Sequence, residues 1–139
     1  MPQAECPYCD GSAPGRVVWS SPRCRVLLIE DSPFVGLCRV VWSGHVKELT
    51  DLPQDDRAHL FEVLCATETA LRELLSPDKM NIAALGTAMP HLHWHVVPRY
   101  AGDTHFPEPI WSTPLRDVTE RKLPHGFAED LVVALRSRL

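Results

Sequence analysis

His91-Leu92-His93-Trp94-His95-Val96-Val97-Pro98-Arg99 alternates histidine with large apolar residues and closes on two valines and a proline. A period of two residues marks a strand. On a strand, residues i, i+2 and i+4 share one face at intervals of about 6.5–7 Å. His91, His93 and His95 are therefore expected on one face, with Leu92, Trp94 and Val96 packed into a core on the other. Pro98 cannot donate to a ladder and is expected to end the strand.

The surroundings set the fold class. Met80 to Leu85 reads as a preceding strand, joined to the histidine strand by a loop from Gly86 to Pro90. Further upstream, Leu60, Val63, Leu64, Thr67, Leu71, Leu74 and Leu75 recur at helical spacing, with Pro53 in the first turn and Ser76-Pro77 as the stop. Three β-rich runs come before that helix: Arg16-Val17-Val18-Trp19, Arg25-Val26-Leu27-Leu28-Ile29 and Leu37-Cys38-Arg39-Val40-Val41-Trp42. Asp31-Ser32-Pro33 supplies a turn. Residues 1–15 are punctuated by Pro7, Gly11, Pro14 and Gly15 and are expected to be irregular. Gly102 to Pro124 is proline-rich and also expected to be irregular, and Phe127 to Leu139 reads as a terminal helix carrying Leu131 and Leu135. The expected class is α+β: a mainly antiparallel sheet of about five strands with one long helix and a C-terminal helix. Parallel winding is disfavoured because only one connection contains a helix. One domain is expected over 1–139, with residues 16–100 as its core and 101–139 as an extension.

The chain has 139 residues, 45% apolar and 23% charged, an ordinary globular balance. Its formal charge of −4 argues against bulk nucleic-acid binding but leaves room for a small anionic ligand held by local donors. No apolar run is long enough to span a bilayer. Met1-Pro2-Gln3-Ala4-Glu5 lacks the basic and apolar regions of a signal peptide. Five cysteines are an odd count without framework spacing. A cytoplasmic protein with reduced thiols is expected.

Three chemistries compete for the histidines: a solvated polar edge, a metal site, and nucleophilic catalysis on phosphate. One ion held by all three fits poorly, because metal–nitrogen bonds near 2.0 Å cannot gather side chains spread over about 13 Å of strand; two of them can share an ion. As a nucleophile, imidazole is largely neutral at pH 7, and a neighbouring ring can meet the charge developing on phosphorus. Cys6-Pro7-Tyr8-Cys9 is, in isolation, the redox motif of glutaredoxins, where a strand precedes it and a helix follows. Only five residues precede it here, and Asp10-Gly11-Ser12-Ala13-Pro14-Gly15 follows, so neither is expected. Such a pair also suits zinc, given two further ligands. Cys24, Cys38 and Cys65 are expected as small core residues.

The stretch from His91 to Arg99 resembles the signature of the histidine triad (HIT) family. Gly36-Leu37-Cys38-Arg39-Val40-Val41-Trp42-Ser43-Gly44-His45-Val46 is similar to the family's earlier strand, which ends in a His-Val pair. Met80-Asn81-Ile82 and Gly86 match the strand and loop that lead into the triad. The likeness covers roughly residues 5–100. It implies a HIT-like fold, a homodimer, and a nucleotide hydrolase or nucleotidyltransferase. Such an enzyme cleaves a phosphoric anhydride or phosphoramide bond at the α-phosphate of a dinucleoside polyphosphate or nucleoside phosphoramidate. It implies His93 as the nucleophile of a nucleotidyl-histidine intermediate, with a backbone carbonyl fixing its tautomer. His95 is implied at the phosphate and leaving group. Glu30 (or Asp31) is implied at the ribose, Asn81 at phosphate or sugar, and Thr87 as a phosphate donor. The chemistry needs no cofactor; in some relatives a structural zinc is held by a cysteine pair and two histidines, here Cys6, Cys9, His45 and His91.

Three positions depart from the pattern. Leu37 stands where many relatives carry a further histidine, and Thr87-Ala88 stand where many carry Gln and then Ser or Thr. These departures favour slower turnover or another substrate, and they keep open a nucleotide-binding regulatory module with little turnover. His105 to Trp111 is expected either to close over a pocket, to meet a partner, or to pack on the surface. Arg99 reads as a solvated charge, and Trp42 and Trp94 as core or dimer contacts.

Overall fold

The computed structural model describes residues 5–118 and 121–139; what was expected of residues 1–4 and 119–120 lies outside these. The strands are β1 (Arg16–Ser20), β2 (Cys24–Leu28), β3 (Cys38–Trp42), β4 (Lys79–Ala83) and β5 (His93–Arg99). They form one sheet in the order β1-β2-β3-β5-β4, and every neighbouring pair is antiparallel. The helices are α1 (Pro7–Asp10), α2 (Gln54–Leu75) and α3 (Phe127–Arg138). After β3, α2 carries the chain across to the sheet edge, and β5 returns to slot between β4 and β3.

Both faces of the sheet are covered, so its strands read as near-continuous apolar runs instead of clean alternations. On one face Val26, Leu28, Val40 and Val96 meet Leu60, Val63, Leu64 and Leu71 of α2 and Leu131 and Leu135 of α3. Each such side chain contributes about 1.5–3 kcal/mol of burial. Leu92 and Trp94 join this core as expected, and Trp42 is buried in it. On the other face Tyr8, Leu27, Phe34, Leu37, Val41 and Val97 form a second, smaller cluster. The helical stripe of α2 holds: Thr67 is buried and its Oγ1 donates to the Val63 carbonyl at 2.8 Å. Asp55 and Asp56 in the first turn and Arg72 in the last suit the helix dipole. Ser76, in the left-handed region at φ 48°, ends the helix.

Several boundaries move for physical reasons. β5 begins at His93, two residues later than expected. Trp42, the last residue of β3, still donates its N–H to the Leu92 carbonyl at 3.1 Å, but beyond it the neighbouring chain turns away, and the Leu92 N–H donates to Val46 at 2.8 Å. Pro98 lies inside β5, because β3 pairs with it only as far as Val96 whereas β4 continues to Arg99. The N-terminal segment is not wholly irregular: Pro7–Asp10 makes one helical turn. Pro7 presets its first φ, Gly11 at φ 80° closes it, and the N–H groups of Cys9 and Asp10 donate to the Cys6 carbonyl at 3.0 Å. Cys24 and Cys38 are fully buried, which pushes their thiols up to about 11 and about 12. Cys65 is exposed on α2, contrary to its expected core role.

Candidate active site and metal centre

The register of the two central strands builds the site. Val41 pairs with His93 and Arg39 with His95, and cross-strand partners point to the same face. That face is the one opposite α2 and α3. His93 and His95 stand 5.2 Å apart between ring centroids, nearly edge to face. His93 Nδ1 lies 2.6 Å from the His91 carbonyl. A carbonyl only accepts, so Nδ1 carries the hydrogen and Nε2 keeps its lone pair free. Burial pushes His93 below its ordinary pKa, with Arg39 adding to the push and the carbonyl bond opposing it. Burial, then the charges of Arg39 and His93, push His95 down to about 4. Both rings are neutral at pH 7 in the free protein. His95 Nδ1 is buried without a hydrogen-bond partner.

These side chains open into a cavity of about 410 Å³. Tyr8 and Pro7 of α1 form one wall, and the Tyr8 ring packs 4.9 Å from His93. Gly86, Thr87 and Ala88 form another, and Arg39 and Trp111 complete the enclosure. Trp111 stands edge-on to His95 at 4.9 Å. Trp111 thus brings the C-terminal extension to the rim of the pocket while staying 49% exposed.

The extension is held there by Arg99, which is 2% exposed and not a solvated charge. Its Nε and Nη2 donate to the two carboxylate oxygens of Asp103 at 2.8 and 3.0 Å, and Nη2 also reaches the Glu108 carbonyl at 2.8 Å. Asp103 accepts further from the N–H groups of Tyr100, His105 and Phe106. Burial alone would raise its pKa; Arg99 and these amides hold it down to about 2.

Two residues expected at the nucleotide do not line the histidine cavity. Asn81 is taken by the same network, its Oδ1 accepting from Arg99 Nη1 at 2.8 Å, and it lines a neighbouring groove. Glu30 is exposed and paired with Arg16 at 3.0 Å, outside the histidine cavity. Thr87 does line the cavity, whereas Leu37 is buried in the smaller core cluster. Trp111 belongs to the segment for which closing over a pocket is one expectation; Arg39 and Tyr8 are pocket residues that the sequence pattern does not mark. The one signal was Arg39 itself, a lone charge inside an apolar strand.

His91 parts from the other two histidines. It precedes β5, is fully buried and faces the N-terminal segment. Its Nδ1 lies 3.3 Å from Cys6 Sγ, 3.5 Å from Cys9 Sγ and 3.2 Å from His45 Nδ1, and Cys9 Sγ lies 3.4 Å from His45 Nδ1. All four ligand atoms fall within 4.8 Å of one another. A tetrahedral ion with bonds of about 2.0–2.1 Å to nitrogen and about 2.3 Å to sulfur has edges of about 3.3–3.8 Å. The cluster is thus a metal-sized cage of two thiols and two imidazoles. His91 Nε2 donates to the Trp42 carbonyl at 2.6 Å, which leaves Nδ1 as the ligand atom.

Known proteins share this fold. A histidine triad protein from Marinobacter aquaeolei superposes with a TM-score of 0.76 at 30% identity, covering 92% of this chain and 93% of that one. A zinc-bound histidine triad family protein from Mycobacterium smegmatis superposes with a TM-score of 0.64 at 26% identity, covering 96% and 94%. An uncharacterised HIT-like protein of Methanocaldococcus jannaschii is 26% identical over 103 residues, which are 70% of this chain and 79% of that protein. The HIT domain model matches residues 10–102, well over half of the sequence, and the chain belongs to the HIT domain family.

Proposed function

We propose that this protein is a nucleotide hydrolase or nucleotidyltransferase working at the α-phosphate through a covalent bond to His93. One observation carries the reading: His93 Nδ1 is held by the His91 carbonyl at 2.6 Å, which leaves a neutral Nε2 on a ring that lines a cavity of about 410 Å³. In the first step Nε2 forms a bond to phosphorus as the bond to the leaving group breaks. The leaving group takes the electron pair and a proton from His95. In the free protein His95 is neutral, but a phosphate anion beside it favours the imidazolium. Water then attacks phosphorus and gives a proton back to His95, and the electron pair of the P–N bond returns to Nε2. Thr87 donates its hydroxyl to the phosphate. Dinucleoside polyphosphates and nucleoside phosphoramidates both fit this chemistry.

Mass spectrometry of protein quenched during turnover tests it. A nucleotidyl adduct on the His93 peptide is expected, absent in His93→Ala; product formation that survives this substitution sinks the covalent route. A second reading, a nucleotide-binding module with little turnover, is favoured by Ala88, which offers the phosphate no side-chain donor. Calorimetry with AMP beside a turnover assay separates the two, since tight binding without hydrolysis supports the module.

Structural zinc on Cys6, Cys9, His45 and His91 belongs to the same reading. Two observations support it: four of the six separations, 3.2–3.5 Å, come close to the edges of a tetrahedral site, and a relative is zinc-bound. Zinc there would pin α1, and with it Tyr8, against the sheet. A homodimer is also proposed, seated on β4, which ends the sheet with one row of backbone groups unpaired. Sedimentation of Ile82→Lys beside the parent chain tests this; an unchanged mass would refute the seat.

A further inference from the structure

Arg39 takes no part in the proposed reaction steps. It sits on the middle strand β3, directly across from His95 and on the same face as His93. Cross-strand partners have Cβ atoms about 4.5–5.5 Å apart, so its side chain runs beside the imidazole. It lines the cavity. Arg39 makes no ion pair among the described residues, and its Nε is buried with no hydrogen-bond partner. The contrast with Arg99 is instructive: that guanidinium is satisfied by Asp103, Asn81 and the Glu108 carbonyl. A half-buried cation without a partner is costly unless a ligand brings the counter-charge.

The cavity is suited to such a ligand. Its lining contains no Asp or Glu, and Arg39 is the one permanent cation among the residues that form it. The loop wall offers one hydroxyl, on Thr87, and no charge. We propose that Arg39 is the phosphate-binding residue of this pocket, gripping the non-bridging oxygens of the phosphoryl group presented to His93. The proposal rests on the nucleotide reading above. Guanidinium presents a planar fork of donors that matches phosphate oxygens in pairs. It stays protonated throughout, so no proton or bond changes at Arg39. Its part is to meet charge on the equatorial oxygens as Nε2 attacks. The same positive charge helps keep His93 and His95 neutral before substrate arrives.

The experiment compares three ligands, AMP, pyrophosphate and adenosine, by calorimetry on the full chain and on Arg39→Met and Arg39→Lys. The ¹⁵N resonance of the Arg39 Nε–H group is followed in the unmutated protein. A charge-assisted contact of this kind is worth about a 10- to 100-fold change in affinity. Arg39→Met should therefore weaken AMP by about that factor and leave adenosine unaffected, with Arg39→Lys in between. AMP should shift the Nε–H resonance, and adenosine should not. AMP affinity unchanged in Arg39→Met, equal losses for AMP and adenosine, or a resonance that ignores AMP would each overturn the proposal. If pyrophosphate binds in an Arg39-dependent way while AMP does not bind at all, the nucleotide reading fails and the anion site stands. If neither anion binds, the proposal falls. Should Arg39→Met fold poorly, the resonance shift and Arg39→Lys still decide the matter.

Discussion

Replacing Asp103 with Asn tests how the C-terminal extension is held at the rim of the pocket. The substitution keeps the shape and removes the charge that faces Arg99, leaving a guanidinium that is 2% exposed with only neutral acceptors. Breaking one partner of a buried pair costs about 3–5 kcal/mol. A second route to the magnitude uses the pKa. Asp103 falls from an ordinary 3.8 to about 2 in the fold. At about 1.4 kcal/mol per unit, that is roughly 2 kcal/mol contributed by ionisation alone. The sign follows from the lowered value: this contribution is complete above pH 3.8 and disappears as pH falls through 2. Urea unfolding at pH 7 should therefore find Asp103→Asn about 2–4 kcal/mol less stable than the parent, and the gap should shrink towards pH 2. Fluorescence of Trp111, with the other tryptophans replaced by Phe, should shift to the red as the indole leaves His95. A loss below about 0.5 kcal/mol at pH 7, or a gap that does not narrow in acid, would refute the reasoning.

Further outcomes are expected. Cys6→Ser with Cys9→Ser should abolish about one equivalent of bound zinc in elemental analysis and lower Tm by about 5–10 °C; unchanged metal content would remove the proposed cage. His95→Gln should lower kcat about 100-fold or more for a poor leaving group and much less for a nitrophenolate, which needs no proton; equal losses for both would deny His95 its role as acid. Gly36→Ala should cost about 2–4 kcal/mol in chemical unfolding. Gly36 has φ 84°, and an added Cβ would stand 2.4 Å from Leu75 Cδ1 and 3.2 Å from Pro98 Cγ. A neutral outcome would mean that α2 yields more easily than its packing suggests.

The sheet was legible because β5 and its partners carry period-two or β-rich patterns that no other element imitates. The α2 stripe was equally plain, since Leu60, Val63, Leu64, Thr67 and Leu71 lie on one helical face. What local pattern could not give was anything set by partners distant in sequence. Pro98 reads as a stop, yet it sits in β5 because β3 ends first. Asn81 reads as a ligand for phosphate until Arg99, eighteen residues on, claims its oxygen. Arg99 in turn reads as a surface charge because Asp103 reveals itself as a partner only once the extension folds back. The identity of the metal-cage residues was readable only through resemblance. Nothing in the spacing of Cys6, Cys9, His45 and His91 says that a turn of helix, a strand end and a strand start converge.

His91 faces in two directions. Its ring meets the thiols of Cys6 and Cys9, and its carbonyl oxygen sets the hydrogen on the His93 imidazole, the proposed nucleophile. Anchorage and aim thus share one residue, with no intermediate links in which slack could accumulate. On the proposed mechanism, loosening of the N-terminal segment is expected to reach the His93 nitrogen through this one residue, as a disturbed tautomer.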